Sequence, residues 1–314
     1  MKPRVRLATL DDVRGIVDVH CSDVKRWYKR VGGRRAEARY EDLSVEERFE
    51  HGGPWMSVET CAVHLNYVLV SGQHPLVAEL EGKIIGELEL YVGEECGRLG
   101  KTAFIDVLEV HRDYRRRGVG RALVEGARRI AVEEGCETLS VWPEERAVGF
   151  YRKCGLGEEV YGIVHVVVDT ASAKEPEGAM RAVERELTSY DDLANKLFVT
   201  PRMFSSFAAW LKSRWSIALE SRALKPYEGV VPELDAAFII DPIRLREREA
   251  RLSLWVRDAG QAPEALALLC WEARRMRTAK LHIVAERSIL EEAMKRGLPM
   301  RVVSEEVVLA ERLS

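Results

Sequence analysis

Amide side chains are nearly missing from this chain. Asparagine occurs at Asn66 and Asn195 and glutamine at Gln73 and Gln261 in 314 residues, while charged residues make up 32%. A shortage of heat-labile amides beside abundant charge points to a thermophilic source. Long apolar runs are missing too: no uninterrupted stretch approaches the roughly 20 residues of a membrane span. Met1-Lys2-Pro3-Arg4 leads straight into patterned sequence without a signal peptide's apolar region, so a cytoplasmic protein is expected. The six cysteines (Cys21, Cys61, Cys96, Cys136, Cys154 and Cys270) lack Cys-x-x-Cys spacing. In a chain of this size that excludes a disulfide framework. Cys61-x-x-His64 is spaced like a ligand pair, but no second pair stands at a usual distance, and no metal is expected. A net charge of -3 leaves no cationic excess for nucleic acid. Neither a membrane nor nucleic acid is expected as a partner.

What is present suffices for two cores. Hydrophobic residues reach 46%, and the length suits two domains of about 150 residues. Near the N-terminus, Thr9 and Asp12 stand in capping-box spacing, and Val13, Ile16, Val17 and His20 then recur at helical intervals. The polar stretch Lys29–Gly72 carries turn signals at Gly32-Gly33 and Gly52-Gly53-Pro54. One or two helices are expected in it, because Val58, Cys61, Ala62 and Leu65 share a helical face. Leu76–Leu80, the turn Glu81-Gly82-Lys83 and Ile84–Val92 read as a β-hairpin. A strand from Thr102 to Val110 follows. After a turn, an apolar helical stripe runs through Val119, Ala122, Leu123, Ile130 and Ala131 to Gly135. Strand Thr138–Trp142, a helix Glu145–Cys154 and strand Tyr161–Asp169 complete a β-β-β-α-β-α-β order.

The turn between the third strand and the long helix is Arg115-Arg116-Arg117-Gly118-Val119-Gly120-Arg121. A helix N-terminus reached through glycines exposes unpaired N–H groups and a positive dipole end, which suit a phosphate. No Gly-Lys-Ser/Thr follows, so it is not a Walker A loop. Arg115, Gly118 and Gly120 fit Arg/Gln-x-x-Gly-x-Gly/Ala, the signature of the GCN5-related N-acetyltransferases (GNAT), and Leu108-Glu109-Val110 resembles that family's fourth strand. The resemblance spans roughly residues 4 to 170. It implies an α/β (α+β) fold with a mixed central sheet and flanking helices, and acetyl-CoA as co-substrate. On it, Leu108, Glu109, Val110 and Arg115 through Arg121 hold the CoA. Ala147-Val148-Gly149-Phe150-Tyr151 resembles the family segment whose tyrosine protonates the leaving thiolate, which gives Tyr151 that role. Glu144 stands where the family usually has asparagine.

The acceptor ammonium must lose a proton before it attacks. Asp106 shares a strand face with Leu108 and Val110 by alternation and is the candidate base. Glu87, Glu89 and an ordered water are alternatives. The acceptor is a primary amine on a small molecule or a protein, and fold analogy does not choose among them.

Internal similarity extends the reading to the second half. Leu187–Leu193 restates Leu7–Val13 with the same capping-box spacing at Ser189 and Asp192. Leu281–Val284 matches Leu139–Trp142, and Arg287–Leu298 matches Glu145–Leu156 at the same offset. At that offset Gly118 falls on Gly260 in Arg257-Asp258-Ala259-Gly260-Gln261-Ala262, again Arg-x-x-Gly-x-Ala. Two fused copies are expected: a catalytic domain over residues 1–172, a linker near Ala171–Gly178, and a degenerate copy over residues 180–314. The degenerate copy carries Ala293 at the position of Tyr151. The expected function is transfer of acetyl from acetyl-CoA to an amine in a ternary complex. A non-catalytic acyl-CoA-binding or scaffolding protein on the same duplicated fold is the alternative.

Overall fold

The computed structural model describes residues 2–175, 180–200, 205–215, 226–243 and 246–313. The chain folds into two compact units that interleave along the sequence. The expected linker at Ala171–Gly178 lies partly outside the described residues.

The first unit comprises residues 2–92, 105–135 and Trp215. Its elements are β1 (Arg4–Leu7), α1 (Val13–Cys21), β2 (Trp27–Val31), β3 (Arg34–Ala38), α2 (Val45–Phe49), α3 (Val58–Val70), β4 (His74–Leu80), β5 (Lys83–Glu94), β6 (Lys101–Val110) and α4 (Val119–Glu133). Strands order β1-β4-β5-β6, and β2 and β3 form a separate two-stranded sheet. That hairpin is a feature the sequence did not announce, because Trp27–Val31 and Arg34–Ala38 group like residues together and lack a clean apolar–polar alternation. Its turn was legible: Gly32 and Gly33 both take positive φ (56° and 79°), the backbone of a type I′ connection.

A β-bulge decides which side chains of β5 face which layer. The register against β4 shifts between Ala78 and Glu79, so Ile84 stays on the α1 side, against Gly15, while Gly86 turns toward α4. Beyond it Glu87, Glu89 and Tyr91 alternate onto the layer built by α1 and α3. The apolar stripe of α1 (Val13, Ile16 and Val17) packs there with Cys61 and Leu65 of α3 and Val77 of β4.

The second unit comprises residues 93–104, 136–214 and those described from 226 onward. It adds β7 (Thr138–Val141), α5 (Val148–Lys153), β8 (Glu158–Asp169), β9 (Val183–Glu184), β10 (Leu197–Thr200), α6 (Ser206–Ser213), β11 (Tyr227–Val231), β12 (Ala236–Pro242), β13 (Glu249–Val256), α7 (Ala262–Arg275), β14 (Lys280–Glu286), α8 (Arg287–Lys295) and β15 (Arg301–Arg312). The strand order is β7-β15-β8-β14-β13-β12-β11-β9, with β10 on β13. Pairing is antiparallel except between β13 and β14, so the sheet is mixed. Its apolar core joins alternate residues of β8, β12, β13 and β14 to α7 and α8.

The order β11-β12-β13-α7-β14-α8-β15 repeats β4-β5-β6-α4-β7-α5-β8. Within this unit the last strand is not where a self-contained repeat would put it. β15 lies between β7 and β8, and β8 lies between β15 and β14. Unlike Leu7–Val13, the Leu187–Leu193 segment does not lead into an α-helix: Ser189 accepts from the N–H of Asp191, closing a single 3-10 turn at Tyr190–Asp192. Among the described residues no helix is long and apolar enough to cross a membrane.

Candidate active site

The arginine–glycine turn leaves β6 through a 3-10 turn at Arg112–Tyr114 and enters α4 at Gly118. Arg116 and Gly118 both take positive φ, 63° and 85°. Gly118 is the N-cap, and no side chain caps the helix. The first-turn N–H groups of α4 have no intrahelical acceptor by geometry, and they stand at the positive end of a 15-residue helix. That is the cradle a pyrophosphate needs, and the residues present fit acetyl-CoA.

Arg115 does different work. Its guanidinium is held by Asp23, by Glu109 Oε1 at 2.5 Å and by the Val110 carbonyl at 2.9 Å, so it ties the turn to α1's end and to β6. Arg116, Arg117 and Arg121 lie exposed along the turn, and Arg117 sits 5.7 Å from the Tyr114 ring centre. Leu108 and Glu109 are half-buried and Val110 is buried. The backbone behind them is tight: a Cβ on Gly86 would lie 3.2 Å from the Glu109 carbonyl and 3.1 Å from both Val119 and Leu123.

On the α1 and α3 side of β5 lies a buried polar cluster. Glu87 and Glu89 are each 1% exposed, so each needs donors. Glu87 pairs with His20 Nε2 of α1. Glu89 accepts from three donors: Trp55 Nε1 (2.9 Å) and His64 Nε2 (2.7 Å) on one oxygen, and the Tyr91 hydroxyl (2.7 Å) on the other. Aromatic rings enclose the cluster. Trp55 stacks on His20 at 5.2 Å, and Trp215 lies 5.6 Å from both His64 and Tyr67.

Burial pushes the Glu87 carboxyl above its usual range, with His20 opposing. Burial alone would lower His20, but the carboxylates of Glu87, Glu109 and Glu89 outweigh it and raise the imidazole. Tyr91 is raised well above an ordinary phenol by burial and by the negative charges of Glu89 and Asp106. Asp106 is half-buried on β6.

The three acids singled out from sequence thus differ in their surroundings. Glu89 spends its lone pairs on three internal donors, Glu87 is locked to His20, and Asp106 is the most accessible. Sequence reading did not bring together His20, Trp55, His64, Tyr91 and Trp215 as one cluster. Of these, His20 lay on a recognised helical face, His64 was read only in the Cys61-x-x-His64 spacing, and Tyr91 continued the Glu87–Glu89 alternation. His64 Nε2 is engaged by Glu89 and Cys61 is buried in the α1–α3 core. Among the described residues no group of three or more His, Cys, Asp or Glu is placed to hold a metal.

Tyr151 belongs to the second unit. It lies on α5, 7% exposed, edge-on to Phe150 at 5.0 Å. The Arg257–Ala262 turn is also there, and it differs chemically from Arg115–Gly120: Asp258 Oδ1 accepts from the Gly260 N–H at 2.8 Å. A carboxylate of the protein itself sits where an anion would bind.

Residues 36–156 match the sequence profile of the acetyltransferase (GNAT) family. That segment resembles the family, and the fold is that of GNAT acetyltransferases. The whole chain resembles a candidate acetyltransferase from Pyrococcus horikoshii at 14% identity, with 100% of this chain and 90% of that one covered and a TM-score of 0.59. It also resembles a GCN5-related N-acetyltransferase from Anabaena variabilis (12% identity, 98% and 72% covered, TM-score 0.63). A GCN5-related N-acetyltransferase from Kribbella flavida is similar at 15% identity (99% and 72% covered, TM-score 0.57). Among curated protein sequences the chain finds no match.

Proposed function

We propose that the protein transfers acetyl from acetyl-CoA to a primary amine by direct attack in a ternary complex. The observation that carries this reading is the uncapped, glycine-entered N-terminus of α4 that follows strand β6. The N–H groups from Arg117 to Gly120 bind the pyrophosphate, and acetyl-CoA supplies the thioester. Asp106 takes the proton of the acceptor ammonium. The His20–Glu87 pair and Glu89 fix the electrostatics of the acceptor side. An N–H between Leu108 and Val110 meets the oxyanion, and Tyr151 returns a proton to the thiolate.

We also propose that the chain is a duplication, with residues 180–314 a degenerate copy. The repeated element order and the Asp258–Gly260 contact support it. The copy then serves structure, because β15 completes the sheet between β7 and β8.

The test is CoA-thiol release and product mass over a panel of primary amines. Acetyl-CoA binding without turnover on any amine would favour the scaffolding alternative. Asp106→Asn should lower kcat/KM and Tyr151→Phe should lower kcat, each by about 10²–10⁴. Unchanged rates would remove these residues from their roles.

A further inference from the structure

A pocket of about 260 Å³ lies in the first unit on a different face of α1 from the His20–Glu87 pair. Helical spacing separates the two faces: Arg14, Asp18 and Cys21 line the pocket, whereas Val13, Ile16 and His20 face the sheet. The opposite wall is Trp27 of β2 and Tyr40, and Val17 and Val58 supply apolar surface.

The walls are braced. Trp27 and Tyr40 meet edge-on at 5.1 Å, and Trp27 is edge-on to His51 at 4.7 Å. The Tyr40 hydroxyl donates to the Met56 carbonyl at 3.1 Å, and Arg48 lies over the Tyr40 ring at 4.2 Å. Burial pushes the Cys21 thiol up to about 11, so it is a neutral wall at physiological pH.

The charges on α1 are what set this pocket apart. Arg14 and Asp18 stand four residues apart, the spacing that lets opposite charges pair along a helix, yet neither forms an ion pair or side-chain hydrogen bond among the described residues. Arginine preceding the acid is the weaker orientation against the helix dipole. Both residues are exposed, so the pocket presents one cation and one anion at its rim, on Cα positions about 6 Å apart along the helix axis, beside two rings. A carboxylate and an ammonium on one carbon bridge such a gap with a hydrogen bond at each end. A single-charged ligand would satisfy one end and leave the other facing its own apolar body.

We infer that this pocket binds a free α-amino acid with an aliphatic side chain: its carboxylate on Arg14, its ammonium on Asp18, and its side chain against Trp27 and Tyr40. The site is separate from the acetyl-transfer reading and stands without it.

Calorimetric titration of the whole chain with leucine tests it, beside isopentylamine (ammonium only) and 4-methylpentanoate (carboxylate only). Leucine should bind at millimolar concentration and the two analogues at least about tenfold more weakly. Arg14→Gln and Asp18→Asn should each weaken leucine by about tenfold while leaving acetyl-CoA affinity and turnover of a generic amine unchanged. No leucine binding, equal binding of all three compounds, or wild-type affinity in both variants overturns the inference. Acetylation of leucine that both substitutions abolish would make the pocket the acceptor site and overturn its separateness. Loss of amine turnover in the wild type leaves the leucine result standing, so the two readings fail independently.

Discussion

Replacing Glu89 by alanine and, separately, by glutamine measures what the buried cluster is for. Glu89 is 1% exposed and accepts from Trp55, His64 and Tyr91. Alanine strips the acceptor from one buried donor, Tyr91, and from two half-buried ones, Trp55 and His64. Each orphan costs about 1–3 kcal/mol, so even with partial relaxation the loss should reach about 3–5 kcal/mol. Glutamine behaves differently. Its carbonyl can occupy the oxygen that Trp55 and His64 share, and its amide can donate to the Tyr91 hydroxyl, which rotates to accept. The remaining cost is the charge assistance on two bonds, about 1–2 kcal/mol in all. Urea denaturation followed by circular dichroism should therefore rank wild type above Glu89→Gln and that well above Glu89→Ala, with a gap of about 2 kcal/mol or more between the variants. Turnover by Glu89→Gln should keep the wild-type pH profile, since a carboxylate spent on three donors is not the base. Equal stability of the two variants within about 0.5 kcal/mol would refute the accounting. A pH profile altered only in Glu89→Gln would refute the division of labour among the acids.

Gly86→Ala should push Val119, Leu123 and the Glu109 carbonyl, which its Cβ would meet at 3.1–3.2 Å. The expected cost is about 1–3 kcal/mol with weakened CoA binding by calorimetry, and an unchanged CoA affinity would show that the turn tolerates the shift. Leu309→Ala, at a fully buried position of β15 paired with Val141, should lose about 2–5 kcal/mol in urea; a loss below about 1 kcal/mol would show that β15 is dispensable. Glu95 carries a pH dependence. Burial pushes its carboxyl up to about 8 against the Ser205 side chain and the Ser206 and Phe207 N–H groups. A raised acid favours folding while protonated, so this contribution is complete below the ordinary carboxylate range and is lost as pH rises through 8. Wild-type Tm should fall over that window and Glu95→Gln should flatten the fall; parallel curves would refute it.

Local signals carried the reading wherever one stretch of chain decides its own structure. The β-hairpin of β4 and β5, the turn at Gly118 and the stripe of α4 follow from alternation, positive-φ glycines and helical period, and all three form as expected. The site itself depends on pairs distant in sequence. His20 meets Glu87 across 67 residues and His64 meets Glu89 across 25. Periodicity placed each on a face without saying which face would meet which. The bulge near Ile85 settled that, and a one-residue irregularity in β5 has no compositional mark.

The same limit explains the second half. Matching segments suggested a repeat, and a repeat suggests a strand that closes on its own copy. The positions of β8 and β15 instead follow from pairing between segments about 150 residues apart. If the proposed duplication holds, a parent sheet whose last strand can be supplied by either copy has two equivalent closures, and each strand presents the same ladder of donors and acceptors to both. What separates the closures is side-chain fit: Val308, Leu309 and Ala310 are fully buried beside β7 and β8. On the proposed duplication, once β15 occupies that place the second copy no longer needs a working anion turn to be retained, and Asp258 can fill its own cradle.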